Sequence, residues 1–137
     1  MGIVVDLVGG TADDTYGDDD TLKDIENVVG TSMADEIYGD SGPNVIEGNG
    51  HDDDKLDGRG GDDTIIVSAT FNLGTAQDAS GAEPNIKNFE HIKGELAMDA
   101  TDPLILTGDA NSNTITGADA GGSTLGDTLC GLSLIHI

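Results

Sequence analysis

From residue 30 to residue 67 the chain alternates polar, glycine-led stretches with brief apolar ones. It divides into GTSMADEIY, GDSGPNVIE, GNGHDDDKLD and GRGGDDTII, followed by Val67. Each unit opens on a glycine (Gly30, Gly39, Gly48, Gly58) and carries a polar residue about five places on (Asp35, Asn44, Asp54, Asp63). Two residues later comes a lone aliphatic: Ile37, Ile46, Leu56, Ile65. This spacing predicts a turn of six or seven residues, then a short strand, near 36–38, 45–47, 55–57 and 64–68. A nine-residue period with one ten-residue unit is one supersecondary unit of a solenoid. One inward side chain per strand makes a thin core. Two units complete one coil, so unit n stacks in parallel on unit n+2. Asp35 then lies near Asp54, and Asn44 near Asp63.

The flanks extend this pattern. Residues 3–7 alternate and read as a strand, residues 9–20 as a Gly/Asp-rich loop, and residues 22–29 (LKDIENVV) as a strand ended by Gly30. The second half echoes the first: IENVVG recurs as FEHIKG (89–94), and GDSGPNVIE as GDANSNTIT (108–116). An insertion containing Pro103 separates these two echoes, and Gly126-Asp127 opens a further unit. The expected organisation is a first cassette over 1–67, with its core at 30–67, and a degenerate second cassette over 68–131. The fold class is all-β, a parallel β-roll or β-solenoid with irregular flanking loops. The last six residues, LSLIHI (132–137), break the pattern. They resemble a translated transposon-end sequencing adapter and are set aside as a non-native tail, which makes the chain a fragment.

Charge then changes the picture. The 137 residues hold 27 Asp and Glu against 5 Lys and Arg, a formal net charge of −22, and only 3% aromatics. Low hydrophobicity with high charge predicts disorder unless something offsets chain entropy. It also disfavours nucleic acid and anionic membranes as partners. No run is long enough to span a membrane. One cysteine, Cys130, rules out an internal disulfide framework and is assigned no role. Stacked carboxylates repel unless a cation sits between them. With so few basic residues, the expectation is that the cation comes from solution. A hard divalent ion with oxygen ligands fits, and calcium suits a flexible, carbonyl-rich loop better than magnesium.

These units resemble the RTX, or hemolysin-type, calcium-binding nonapeptide G-G-x-G-x-D-x-U-x, with U a large aliphatic. GRGGDDTII matches at every defined slot but the second, where Arg59 replaces glycine; GDSGPNVIE has Asp40 for the second glycine and Asn44 for Asp; GTSMADEIY lacks the inner glycines. The resemblance implies a parallel β-roll with calcium between turns, held by first- and third-position carbonyls and the sixth-position carboxylate. That carries over to Gly39, Ser41, Asn44, Gly58, Gly60 and Asp63 as one site. Gly30, Asp35, Gly48, Gly50 and Asp54 form a weaker one. It also implies a secreted bacterial protein that leaves the cell unfolded by type I secretion and folds on meeting calcium outside.

Other motifs carry less. Gly39-Asp40-Ser41-Gly42 matches a chymotrypsin-type nucleophile segment, but falls in register with the turns and has no larger scaffold around it. Residues 109–113 resemble an EF-hand opening, with Thr114 in place of its glycine and Ala120 in place of its glutamate. His51 and His91 are isolated, so zinc is not indicated. Asp52 and Asp53 read as solvated, and Asp54 as a ligand. No catalytic set is present, and the segment reads as a non-enzyme. The rivals are an adhesin repeat, an accessory part of a secreted hydrolase or polysaccharide-modifying enzyme, and a metal-free solenoid binding ice or sugar.

Overall fold

A single aliphatic between two polar neighbours, bounded by glycine, has room for one inward side chain and no more. The strands are accordingly three residues long. The computed structural model describes all residues except 15, 50–52, 69–70, 77–84, 96–104, 118–127 and 131–137. In order they are β1 (Val4–Asp6), β2 (Thr11–Asp13), β3 (Asp19–Thr21), β4 (Asn27–Val29), β5 (Glu36–Tyr38), β6 (Val45–Glu47), β7 (Lys55–Asp57) and β8 (Thr64–Val67). After these come β9 (Phe71–Asn72), one helical turn α1 (Leu73–Ala76), β10 (Ile86–Lys87), β11 (His91–Gly94), β12 (Ile105–Thr107), β13 (Thr114–Thr116) and β14 (Thr128–Cys130). The described residues are all-β apart from that turn.

Consecutive strands from β4 to β8 alternate between two sheets. One runs β10-β7-β5-β1-β2-β3 and the other β13-β11-β8-β6-β4; a third, β14-β12-β9, takes strands from the second half. Pairing along the repeats is parallel and in the expected n to n+2 register, with Ile37 opposite Leu56 and Ile46 opposite Ile65. Residues beyond Val67 continue the same two sheets, since Ile86 pairs with Leu56 and Ile92 with Ile65. Among the described residues no sheet closes on itself.

The inward aliphatics form one cluster. Val5, Ile37 and Leu56 come from the first sheet, Val28, Ile46, Ile65 and Ile92 from the second, and Leu106 from the third. Leu73 and Phe89 join it from the connecting segments. Ile37 and Ile46 are fully buried, so a core one residue wide still excludes water. Their neighbours Glu36, Tyr38, Val45 and Glu47 stay partly exposed, as strand alternation requires.

Two expectations for the N-terminal part need correction. Residues 9–20 are not simply a loop, because β2 and β3 fold back antiparallel on β1, pairing Val5 with Ala12 and Ala12 with Asp20. Gly10, at φ +65°, closes the β1–β2 connection, and the Gly9 N–H donates to Asp6 Oδ1 at 2.9 Å. Over 22–29 only Asn27–Val29 is strand. The polar run Lys23-Asp24 precedes it, with Asp24 at φ +53°, a left-handed angle that interrupts extended backbone.

Candidate functional site

The sixth-slot residues Asp35, Asn44, Asp54 and Asp63 are the buried polar side chains of the described structure, and they point inward beside the aliphatics. Burying a carboxylate is costly unless donors meet it. The turns supply those donors locally. In turn 30–35 the Thr31 N–H donates to Asp35 Oδ2 at 2.6 Å, and the Thr31 hydroxyl to Asp35 Oδ1 at 2.9 Å. In turn 39–44 the Asp40 N–H donates to Asn44 Oδ1 at 2.8 Å, while Asp40 Oδ1 accepts from the Gly42 N–H at 2.7 Å. Turn 108–113 repeats this, with the Asp109 N–H donating to Asn113 Oδ1 at 2.8 Å and Asp109 Oδ1 accepting from the Asn111 N–H at 2.9 Å. The second residue of each turn thus binds the sixth, a side-chain-to-backbone closure of the kind that favours turns.

The same side chains also join coil to coil. Asp35 Oδ1 accepts from the Ile3 N–H at 2.8 Å, and the Asp35 N–H donates to Asp54 Oδ1 at 3.0 Å. The Asn44 N–H donates to Asp63 Oδ1 at 2.8 Å, and the Asp63 N–H to Glu90 Oε2 at 2.9 Å. The expected neighbours are therefore adjacent. They are linked by backbone N–H groups, so oxygens do not face oxygens along these links.

Turn 58–63 departs from the rule. Arg59 is left-handed at φ +65°, and its N–H turns away to Asp57 Oδ1 at 2.9 Å. Asp63 therefore lacks the donor that Asp35 and Asn44 receive from the second residue of their turns. Its Oδ2 is buried with no hydrogen-bond partner. Burial pushes the Asp63 carboxyl up; the Asn44 N–H pulls it down, and Glu90, Asp40 and Asp62 add to the rise. Gly58 is required beside it. A Cβ there would stand 2.6 Å from Asp63 Oδ2 and collide with the Asn88 carbonyl.

The Arg59 side chain reaches the neighbouring turn. Nη1 and Nη2 donate to Asp6 Oδ1 and Oδ2 at 2.8 and 2.9 Å, and Nη1 also donates to the Gly39 carbonyl at 3.0 Å. Its guanidinium carbon lies 5.4 Å from the centre of the Tyr38 ring. Arg59, with help from the Gly9 N–H, holds the Asp6 carboxyl at about 2. The chain thus supplies inter-coil cations itself, Lys55 of β7 also donating to Glu36 of β5 at 2.7 Å, where its composition had suggested that none was to spare.

The first predicted ligand set is thus brought together as two stacked turns, with the Gly60 N–H donating to the Asp40 carbonyl at 3.1 Å. Within it the Gly39 carbonyl faces Arg59 and Asn44 Oδ1 faces Asp40, while Ser41 and Gly60 lie at the surface. In the second set Asp35 and Asp54 are in contact, the Gly30 N–H donates to the Glu47 carbonyl, and Gly50 lies outside the described residues, with His51 and Asp52. Asp53 is exposed, as expected for a solvated residue. His91 Nδ1 accepts from the Thr114 N–H at 3.1 Å.

The donor set consists of oxygens only, which suits a hard cation, and the orphaned Asp63 Oδ2 is the atom such an ion would satisfy. Among the described residues no three His, Cys, Asp or Glu side chains converge on one metal position, so backbone carbonyls would complete any site. The repeat template gave no sign of Thr31, Asp40, Arg59 or Glu90. The first three occupy the second slot, where the motif specifies glycine, and Glu90 belongs to a segment outside it. Comparison with known proteins returned no matching family model, no matching curated protein and no matching solved structure.

Proposed function

We propose that the chain is a calcium-binding β-roll module of a secreted bacterial protein, and that the ion binds at turn 58–63. The observation that carries this reading is the buried, partnerless Asp63 Oδ2, in a chain whose net charge is −22. The parallel n to n+2 register and the inward sixth-slot oxygens support the β-roll part. Asp63 would hold the ion together with the carbonyls of Gly58 and Gly60 in the same turn. The ion would supply positive charge to a carboxylate that burial otherwise penalises.

Binding free energy at such a site becomes folding free energy. Calcium sites of extracellular modules have dissociation constants on the order of 0.1–1 mM, so they stay empty in a cytosol and fill outside. The ion would then act as the signal that completes folding after export, stabilising a coil stack already partly formed without it. Calorimetric titration of the full chain with calcium, beside Asp63→Asn, tests the assignment. Loss of the tightest ion in Asp63→Asn is the expected result. Unchanged stoichiometry and affinity would remove Asp63 from the site.

A second reading is favoured by the closed turns at Asp35, Asn44 and Asn113: a coil stack that holds without ions. Far-UV circular dichroism in chelator separates the two. A β signal already complete and unmoved by millimolar calcium would select the second.

A further inference from the structure

Arg59 does for the Gly39 turn what a metal ion is expected to do. It brings positive charge to the Gly39 carbonyl and the Asp6 carboxylate, two oxygen groups from different coils. Asp6 lies at the end of β1, which pairs with β5 through Asp6 and Tyr38, and Tyr38 in turn pairs with Asp57 of β7. Asp6, Tyr38 and Asp57 therefore form one outward column across three coils. Arg59 lies across that column, accepted by Asp6, stacked on Tyr38, and anchored through its own N–H to Asp57. A fork donating in parallel to both carboxylate oxygens is the geometry arginine provides and lysine does not.

We propose that Asp6 and the Gly39 carbonyl form a cation seat that Arg59 fills, and that a divalent ion takes this seat when the guanidinium is removed. The oxygens are hard donors of the kind calcium accepts. The left-handed Arg59 backbone that sends the guanidinium to this seat also withdraws the N–H that Asp63 would otherwise receive. One residue therefore closes the seat at Gly39 and leaves the buried oxygen of Asp63 open. This directs ion binding to the Asp63 side of turn 58–63, within the stack, and keeps β1, β5 and β7 clamped in the absence of any ion.

The inference shares its chemistry with the proposed site at Asp63 but is tested apart from it. Thermal melts of the full chain in chelator compare wild type with Arg59→Gln and Asp6→Asn, where no ion contributes. Both variants should melt about 5 °C lower than wild type; equal midpoints would overturn the clamp. Calorimetry with calcium then counts ions. Arg59→Gln should bind one more ion than wild type, and the double variant Asp6→Asn/Arg59→Gln should lose that extra ion. No gain in Arg59→Gln, or a gain that survives Asp6→Asn, would overturn the seat. Should Arg59→Gln fail to fold in chelator, Arg59→Lys keeps the charge without the fork. It should melt between wild type and Asp6→Asn and bind no extra ion, and an extra ion there would also overturn the seat. If instead wild type binds no calcium, the Asp63 reading fails while the chelator comparison stands.

Discussion

The backbone N–H of Asp35 donates to Asp54 Oδ1 at 3.0 Å across nineteen residues of sequence. The same Asp35 carboxylate accepts from Ile3 and Thr31. One buried side chain therefore serves its own turn and the coil on one side, while its backbone serves the coil on the other. Replacing Asp35 by Ala leaves the Ile3 and Thr31 N–H groups without their acceptor. Each such loss costs about 1–3 kcal/mol. Urea unfolding should show Asp35→Ala destabilised by about 3 kcal/mol, with Asp35→Asn retaining part of the difference.

Asn44 makes the reverse case. Its Oδ1 accepts from the Asp40 N–H, and its Nδ2 reaches Asp40 Oδ1 at 3.4 Å. Asn44→Asp keeps the acceptor but sets a second carboxylate beside Asp40. In chelator this variant should be less stable than wild type by about 1 kcal/mol. Millimolar calcium should restore more stability to it than to wild type. Paired urea titrations with and without calcium read this out, and an equal response in both would show that Asn44 has no access to the ion.

Two glycines in one turn should behave oppositely. A Cβ on Gly58 would meet Asp63 Oδ2 and the Asn88 carbonyl, whereas one on Gly60 meets nothing within 4 Å. Gly58→Ala should therefore destabilise by about 1–3 kcal/mol, as forced overpacking does. Gly60→Ala should leave the urea midpoint near wild type.

The Asp6 ion pair gives a signed pH dependence. Its carboxyl lies at about 2 in the folded chain against an ordinary 3.8. A depressed folded value means the contribution is present above about pH 4 and is lost as pH falls toward 2. The side chains of Arg59 and Asp6 are 31% and 36% exposed, so solvent screening limits the contribution to about 1 kcal/mol. In chelator, the stability difference between wild type and Asp6→Asn should shrink over that interval. A difference unchanged from pH 6 to pH 2 would show that the ion pair contributes nothing.

The strand positions were legible because a lone aliphatic between glycine-led turns leaves few alternatives. Ile37, Ile46, Leu56 and Ile65 all point inward at their expected places. The pairing of Asp35 with Asp54 and of Asn44 with Asp63 was legible for the same reason, since the period fixes the register. Three features were not. The β2–β3 excursion is hidden because Gly and Asp dominate it, and only pairing to β1 makes it strand. Phe89 and Leu73 join the core from outside the strands, and Phe89 stands where the first copy has the exposed Ile25, so the echo does not mark it as core. Arg59 was hidden by counting. Net charge says how many cations a chain has, whereas the reach of one long side chain decides where one of them acts.

The outermost strand of the first sheet, β3, has all three residues exposed, and two of them are Asp19 and Asp20. A parallel ladder with a fixed register is a template onto which further strands add readily, and charge along its rim is a common deterrent. The antiparallel fold-back thus places mutual repulsion at the margin where a neighbouring molecule would dock edge to edge. Asp19→Val/Asp20→Val should convert that margin into a sticky one, visible as concentration-dependent fibrils by light scattering.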